Sequence, residues 1–221
     1  MNKKIAIILI GHMRSWNICK EYFMQYFNKY NPDVYALTYN TINFNSNDNV
    51  LTNEEIVESL KDINVVKLRI KDENVVFEEA KNKYSKFQID QNRDANAISW
   101  TCQLLNLETC FNDIIESGIK YDYVIKTRYD VQYLFDERNL FVEKENCVNI
   151  STGHSCCDIV ACGKFERMYS YCTIANNLEF LYNKVFKEDC VEMNPHILLY
   201  YNFAYNNSWF NPNLDIKLIR I

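Results

Sequence analysis

The chain has 221 residues, 48% hydrophobic and 14% aromatic, enough to bury a sizeable core at a length common for one domain, so residues 1–221 are read as a single domain. A formal net charge of −5, with Lys and Arg scattered rather than set in a basic stripe, argues against a nucleic-acid partner. The longest early apolar run, Ile5 to Ile10, is too short to span a bilayer and has no small-residue cleavage site behind it, so a cytoplasmic protein without a membrane span is expected.

The first element is the stretch KKIAIILIGHMRSW, whose apolar run is too dense for a half-exposed strand and suits a central parallel strand ending at Gly11. Ile18, Tyr22, Phe23, Tyr26 and Phe27 then recur at helical spacing until Asn31-Pro32 stops the segment. A second strand follows from Asp33 to Thr38, and the Asn-rich NTINFNSNDN reads as a surface loop. Thr52, with Glu55 three residues on, has the form of a capping box opening a helix, and Asn64 to Ile70 reads as a third strand. The longest helix carries Ala97, Trp100, Leu104, Leu107, Phe111 and Ile114 by threes and fours until Gly118 closes it.

That helix delivers the chain to VIKTRYDVQY, Val124 to Tyr133, which begins as a strand yet sets Lys126, Arg128 and Asp130 at alternate positions, on one face if the strand continues. Shorter strands are expected around Cys147 to Ile150 and Asp158 to Cys162, then a helical stretch from Phe165 to about Val185. A last helix opens at Asn194-Pro195, and the strand-like LDIKLIRI ends the chain. Strands alternating with helices imply an α/β sandwich with a mostly parallel sheet, in which ligands sit at the carboxyl ends of strands where strand order reverses. That rule selects GHMR after the first strand and TRYD at the end of the charged one.

Glycine scarcity constrains the chemistry. With only Gly11, Gly118, Gly153 and Gly163, neither a P-loop nor a Gly-x-Gly-x-x-Gly turn can be written, so a phosphorylated ligand must be met by Arg and Lys side chains, a helix N-terminus or a metal ion. Gly11, His12 and Arg14 form a segment that can hold a phosphate or a base, or simply turn toward solvent. Arg93 stands at the start of the long helix, where an anion is favoured, although capping by Asn92 or Asp94 explains that stretch equally. Arg128 and Asp130 read either as a cation-and-diphosphate site or as a solvated ion pair. Asp158, after a Gly-containing loop, is a candidate general base for a hydroxyl proton, or an ordinary turn residue. Nine cysteines without a Cys-x-x-Cys pair read as reduced, mostly buried thiols.

The segments KIAIILIGHMRSW, NPDVYALTY, QNRDA with its long helix, YDYVIKTRYDV and DIVACGKFERMYSYC, taken in order over about residues 4 to 200, resemble small nucleotide-sugar glycosyltransferases of the GT-A type found in bacterial polysaccharide clusters and large DNA viruses. The resemblance implies a GT-A-like fold, a nucleotide-sugar donor and a glycan or other hydroxyl acceptor. It also implies an Asp-x-Asp motif holding Mn²⁺ or Mg²⁺, at a place here written Arg128-Tyr129-Asp130. Asp130 is then the metal or ribose contact, Arg128 a direct phosphate partner in place of the first acid, and His196 a second metal ligand. DIVACG resembles the acceptor-side region, which places Asp158 near the reacting hydroxyl. A non-catalytic nucleotide- or saccharide-binding module on the same fold is the alternative.

Overall fold

The computed structural model describes residues 3–42, 50–85, 95–142, 147–151, 159–184, 195–206 and 209–219. The apolar run at the N-terminus forms strand β1 (Ile5–Ile10), buried along its whole length. Because a strand alternates faces, Ala6, Ile8 and Ile10 enter one core and Ile5, Ile7 and Leu9 the other. Such two-sided burial is possible only for a strand covered by helices above and below.

Helix α1 (Trp16–Phe27) packs Trp16, Phe23 and Phe27 on the second face, and β2 (Asp33–Tyr39) returns parallel to β1. Helix α2 (Asn53–Leu60) has the expected capping box, with the Glu55 N–H donating to Thr52 Oγ1 at 3.2 Å and the Thr52 N–H donating to Glu55 Oε2 at 2.8 Å. After β3 (Val65–Lys71) comes a helix the sequence reading did not anticipate, α3 (Glu73–Ser85), which inserts Val76 and Ala80 into the first core. Its sequence ENVVFEEAKNKYS is mostly polar, so the apolar stripe is too thin to register as a period.

Helix α4 (Ala95–Glu116) lays Trp100, Leu104, Leu107, Phe111 and Ile114 across the same face. The charged stretch then divides: β4 (Tyr123–Arg128) ends at Arg128, Tyr129 and Asp130 form a turn, and β5 (Val131–Tyr133) leaves the main sheet to pair with the C-terminal segment. Asp130 therefore projects from a turn rather than from the face shared by Lys126 and Arg128.

The chain continues through β6 (Cys147–Ser151), β7 (Ala161–Lys164), α5 (Phe165–Cys172), α6 (Leu178–Leu181), α7 (Pro195–Tyr205), β8 (Trp209–Leu214) and β9 (Ile216–Leu218). The helical stretch expected from Phe165 onward is thus interrupted, by a short 3₁₀ segment at Ile174–Asn177. The main sheet has the order β3-β2-β1-β4-β7-β6-β8, with β7 antiparallel to both its neighbours and every other pairing parallel. The expected α/β sandwich with a mostly parallel sheet is observed. Strand order reverses direction between β1 and β4, whose ends are level because Ile10 lies beside Arg128.

Opposite ends of these strands are treated differently. At the amino ends, Tyr121 donates from its hydroxyl to Asp33 at 2.8 Å, and Lys4 Nζ pairs with the same carboxylate at 2.6 Å, closing that edge with a structural network. At the carboxyl ends the chain diverges and a crevice opens. Cys19, Cys102, Cys110, Cys162 and Cys172 are free and buried, as expected of reduced thiols. Among the described residues no helix is long and apolar enough to cross a membrane.

The Tyr129–Asp130 turn is fixed from both sides. Tyr129 is fully buried and meets Trp16 edge-on with ring centroids 5.3 Å apart, while the Asp130 carbonyl accepts the Ile219 N–H at 2.8 Å. Among the described residues the Tyr129 hydroxyl has no hydrogen-bond partner. Its ring, not its hydroxyl, thus carries the packing. Truncation by Tyr129→Ala is expected to cost about 3–5 kcal/mol in urea unfolding, and Tyr129→Phe less than about 1 kcal/mol.

Candidate active site

Gly11 starts the site. Its φ of +122° lies where a side chain is strained, and it swings the chain out of β1 while its N–H still donates to the Leu37 carbonyl at 3.2 Å and its own carbonyl accepts from Thr38 Oγ1 at 3.0 Å. His12 and Arg14 are thereby carried over the ends of β1, β2 and β4. They line a cavity of about 350 Å³ together with Tyr39, Glu73, Asn106 and Arg128. That volume is within the range of small-molecule sites.

Two neighbourhoods make up this cavity. In the first, the His12 ring lies on Tyr39 with centroids 4.5 Å apart and planes at 30°. The Tyr39 hydroxyl accepts from Asn106 Nδ2 at 2.6 Å, and Asn106 Oδ1 accepts from Lys71 Nζ at 3.2 Å. Glu73 Oε2 accepts from Thr41 Oγ1 at 2.9 Å, and its other oxygen lies 3.2 Å from His12 Nε2. Burial, then the positive charges of Arg14 and Arg128, push the His12 pKa down to about 4 against a partial upward pull from Asp130. The imidazole is therefore neutral at pH 7, and its contact with Glu73 is not an ion pair. Burial pushes the Cys102 thiol in the cavity wall up to about 12, so it is no thiolate nucleophile.

The second neighbourhood is ionic. Arg128 grips Asp130 as a fork, Nε donating to Oδ1 at 2.9 Å and Nη2 to Oδ2 at 2.8 Å. Arg14 Nη2 donates to the same Oδ2 at 2.9 Å. Burial alone would raise the Asp130 carboxyl, but the charges and hydrogen bonds of Arg128 and Arg14 outweigh it and hold it below the usual carboxylate range. One carboxylate against two guanidiniums leaves this cluster with a net charge of +1.

The residues predicted from the sequence are thus partly united. Gly11, His12, Arg14 and Arg128 line one cavity, and Asp130 ties two of them together. Lys126 is buried in the sheet, its ammonium donating to the Ile159 carbonyl at 3.2 Å. Asp158 and Arg93 lie outside the described residues, as does the side chain of His196, whose backbone falls in the first turn of α7. Tyr39, Glu73 and Asn106 were not anticipated. The carboxyl-end rule reaches Tyr39 and Glu73, which end β2 and follow β3, whereas Asn106 gives no signal among the apolar positions of its helix.

The described residues do not fit the divalent cation that an Asp-x-Asp motif would hold. Three hydrogen bonds from two guanidiniums occupy the Asp130 oxygens, and no group of three His, Cys, Asp or Glu side chains gathers as a cation site among the described residues. Like unit charges about 4 Å apart repel by about 4 kcal/mol at an effective dielectric of about 20, and a doubly charged ion beside two arginines meets a multiple of that.

Comparison with known proteins places the fold. No family model and no curated protein matches the sequence. Among solved structures, mouse xyloside xylosyltransferase 1 superposes with a TM-score of 0.51 at 8% identity, over 95% of this chain and 84% of that one. The galactosyltransferase LgtC, in complex with donor and acceptor sugar analogues, does so with a TM-score of 0.54 at 8% identity, over 93% and 72%. The glycosyltransferase GlyE of Streptococcus pneumoniae gives 0.51 at 12% identity, over 96% of this chain and 46% of its own length. The architecture is that of GT-A glycosyltransferases, and at such identities the likeness is one of fold.

The burial of His12 sets a pH dependence. Between its ordinary value of 6.5 and about 4, the unfolded chain binds a proton that the folded chain does not, so this residue makes stability fall as pH drops through that window. Urea unfolding across this range is expected to show that slope, reduced in His12→Asn, and NMR titration should place the imidazole near 4.

Proposed function

We propose that the protein is a glycosyltransferase that moves a sugar from a nucleotide-diphosphate-sugar donor to a glycan or other hydroxyl acceptor. The observation that carries this reading is the arginine pair, Arg14 and Arg128, set beside a cavity at the switch point between β1 and β4. A chain without glycine-rich phosphate loops needs side-chain cations at such a place. The GT-A fold, shared with three proteins named as transferases of sugars, supports the same reading.

In the proposed reaction the nucleoside occupies the part of the cavity bounded by His12, Tyr39, Glu73 and Asn106, and the diphosphate meets Arg14 and Arg128. The bond between the anomeric carbon and the phosphate oxygen breaks, its electron pair leaving on the diphosphate. The acceptor oxygen bonds to that carbon and gives up its proton, for which Asp158 is the proposed base. Guanidinium charge stabilises the leaving group as negative charge develops on it, and the rigid strand ends hold the arginines where that charge appears. Glycan assembly is the setting such a transfer serves.

A thermal-shift screen of UDP-, GDP- and dTDP-sugars tests this directly, with CMP-sugars, which carry a single phosphate, as the contrast. A bound donor at about a hundred times its dissociation constant adds about 2.7 kcal/mol, a rise in Tm of roughly 5–10 °C at this size. No shift with any nucleotide would sink the proposal. Slow hydrolysis of the donor, lost in Asp158→Asn, is expected of the enzyme, whereas binding without any turnover favours a nucleotide-binding module.

A further inference from the structure

The geometry points to a donor site that works without a divalent cation: we propose that Asp130 is a positioning residue that clamps Arg14 and Arg128 for direct contact with the diphosphate. This rests on the reading of the cavity as a nucleotide-sugar site. A metal ligand must offer lone pairs outward, and here arginine takes three of the roughly four that the carboxylate has. Oδ1 accepts Arg128 Nε, while Oδ2 accepts both Arg128 Nη2 and Arg14 Nη2, all at 2.8–2.9 Å. The carboxylate is 2% exposed, so it meets the arginines away from solvent.

The arrangement uses the arginines sparingly. A guanidinium carries five N–H donors, of which Arg128 commits two and Arg14 one to Asp130. Both line the cavity, and their charges exceed that of Asp130 by one. An unclamped pair of neighbouring guanidiniums would repel and splay. The shared carboxylate removes that repulsion and fixes both planes, which favours two-point hydrogen bonding to phosphate oxygens. Asp130 itself is fixed by the turn, whose carbonyl holds the Ile219 N–H and whose Tyr129 packs on Trp16.

Isothermal titration of the full chain with UDP, GDP, CDP and dTDP, each against its nucleoside, tests the inference in EDTA and then with Mn²⁺ or Mg²⁺. The expected result is a diphosphate whose dissociation constant changes less than about fivefold between the conditions, while Arg128→Lys weakens it about tenfold or more, leaves the nucleoside unaffected and is not rescued by Mn²⁺. Asp130→Asn should weaken the diphosphate in EDTA and remain insensitive to Mn²⁺. Tightening of more than about fivefold by Mn²⁺ in the wild-type chain overturns the inference while leaving the glycosyltransferase reading standing. Binding of none of the nucleotides under any condition overturns both. The wild-type comparison decides the matter even if a variant fails to fold.

Discussion

The carboxylate of Asp130 shared between Arg14 and Arg128 is the interaction on which the site depends. β1 and β4 run side by side and end level, yet the chains leaving them diverge, one toward α1 and the other into the small β5-β9 sheet. Arg14 belongs to the first exit and Arg128 to the second, so their contact with Asp130 ties the two exits across the mouth of the crevice. Removing the carboxylate leaves two half-buried guanidiniums facing each other without a counter-charge, whereas removing either arginine leaves Asp130 paired with the other. The turn that presents Asp130 is in turn held by the C-terminal segment through Ile219 and by Tyr129 against Trp16. Elements from both ends of the chain thus converge on one carboxylate.

Much of the framework was legible in the sequence for physical reasons. The six-residue apolar run of β1 admits only a doubly covered strand, the Thr52–Glu55 pair marks its helix start by local hydrogen bonding, and α4 repeats its apolar positions over about five turns. These signals are local or periodic. What was not legible depends on tertiary contact. Helix α3 has too few apolar residues to show a period, and it is stabilised by packing Val76 and Ala80 against α4. The break at Tyr129–Asp130 follows from pairing β5 with a strand more than eighty residues away, which no local rule reveals. Lys126, assigned to the same charged face as Arg128, is drawn to a backbone carbonyl of a segment close in space and distant in sequence.

The cavity was half legible in the same way. Strand-end reasoning selected Gly11, His12, Arg14, Arg128 and Asp130, because topology alone sends those residues to the switch point. It did not foresee that Asp130 would face two arginines, which requires the turn. Asn106 lies on a helix laid over the sheet, and its role in orienting the Tyr39 hydroxyl appears only when helix and strand are packed. The order of strands sets the place of the cavity, while its charge chemistry is written by individual side chains, here by an arginine where the resemblance implies an acid.

The most direct measurement is a crystal structure of the protein with a bound nucleoside diphosphate. The account predicts phosphate oxygens about 3 Å from the guanidiniums of Arg14 and Arg128, with the Arg128–Asp130 fork intact. Phosphates bound away from both arginines, or an Asp130 carboxylate released from them onto a cation, would contradict it.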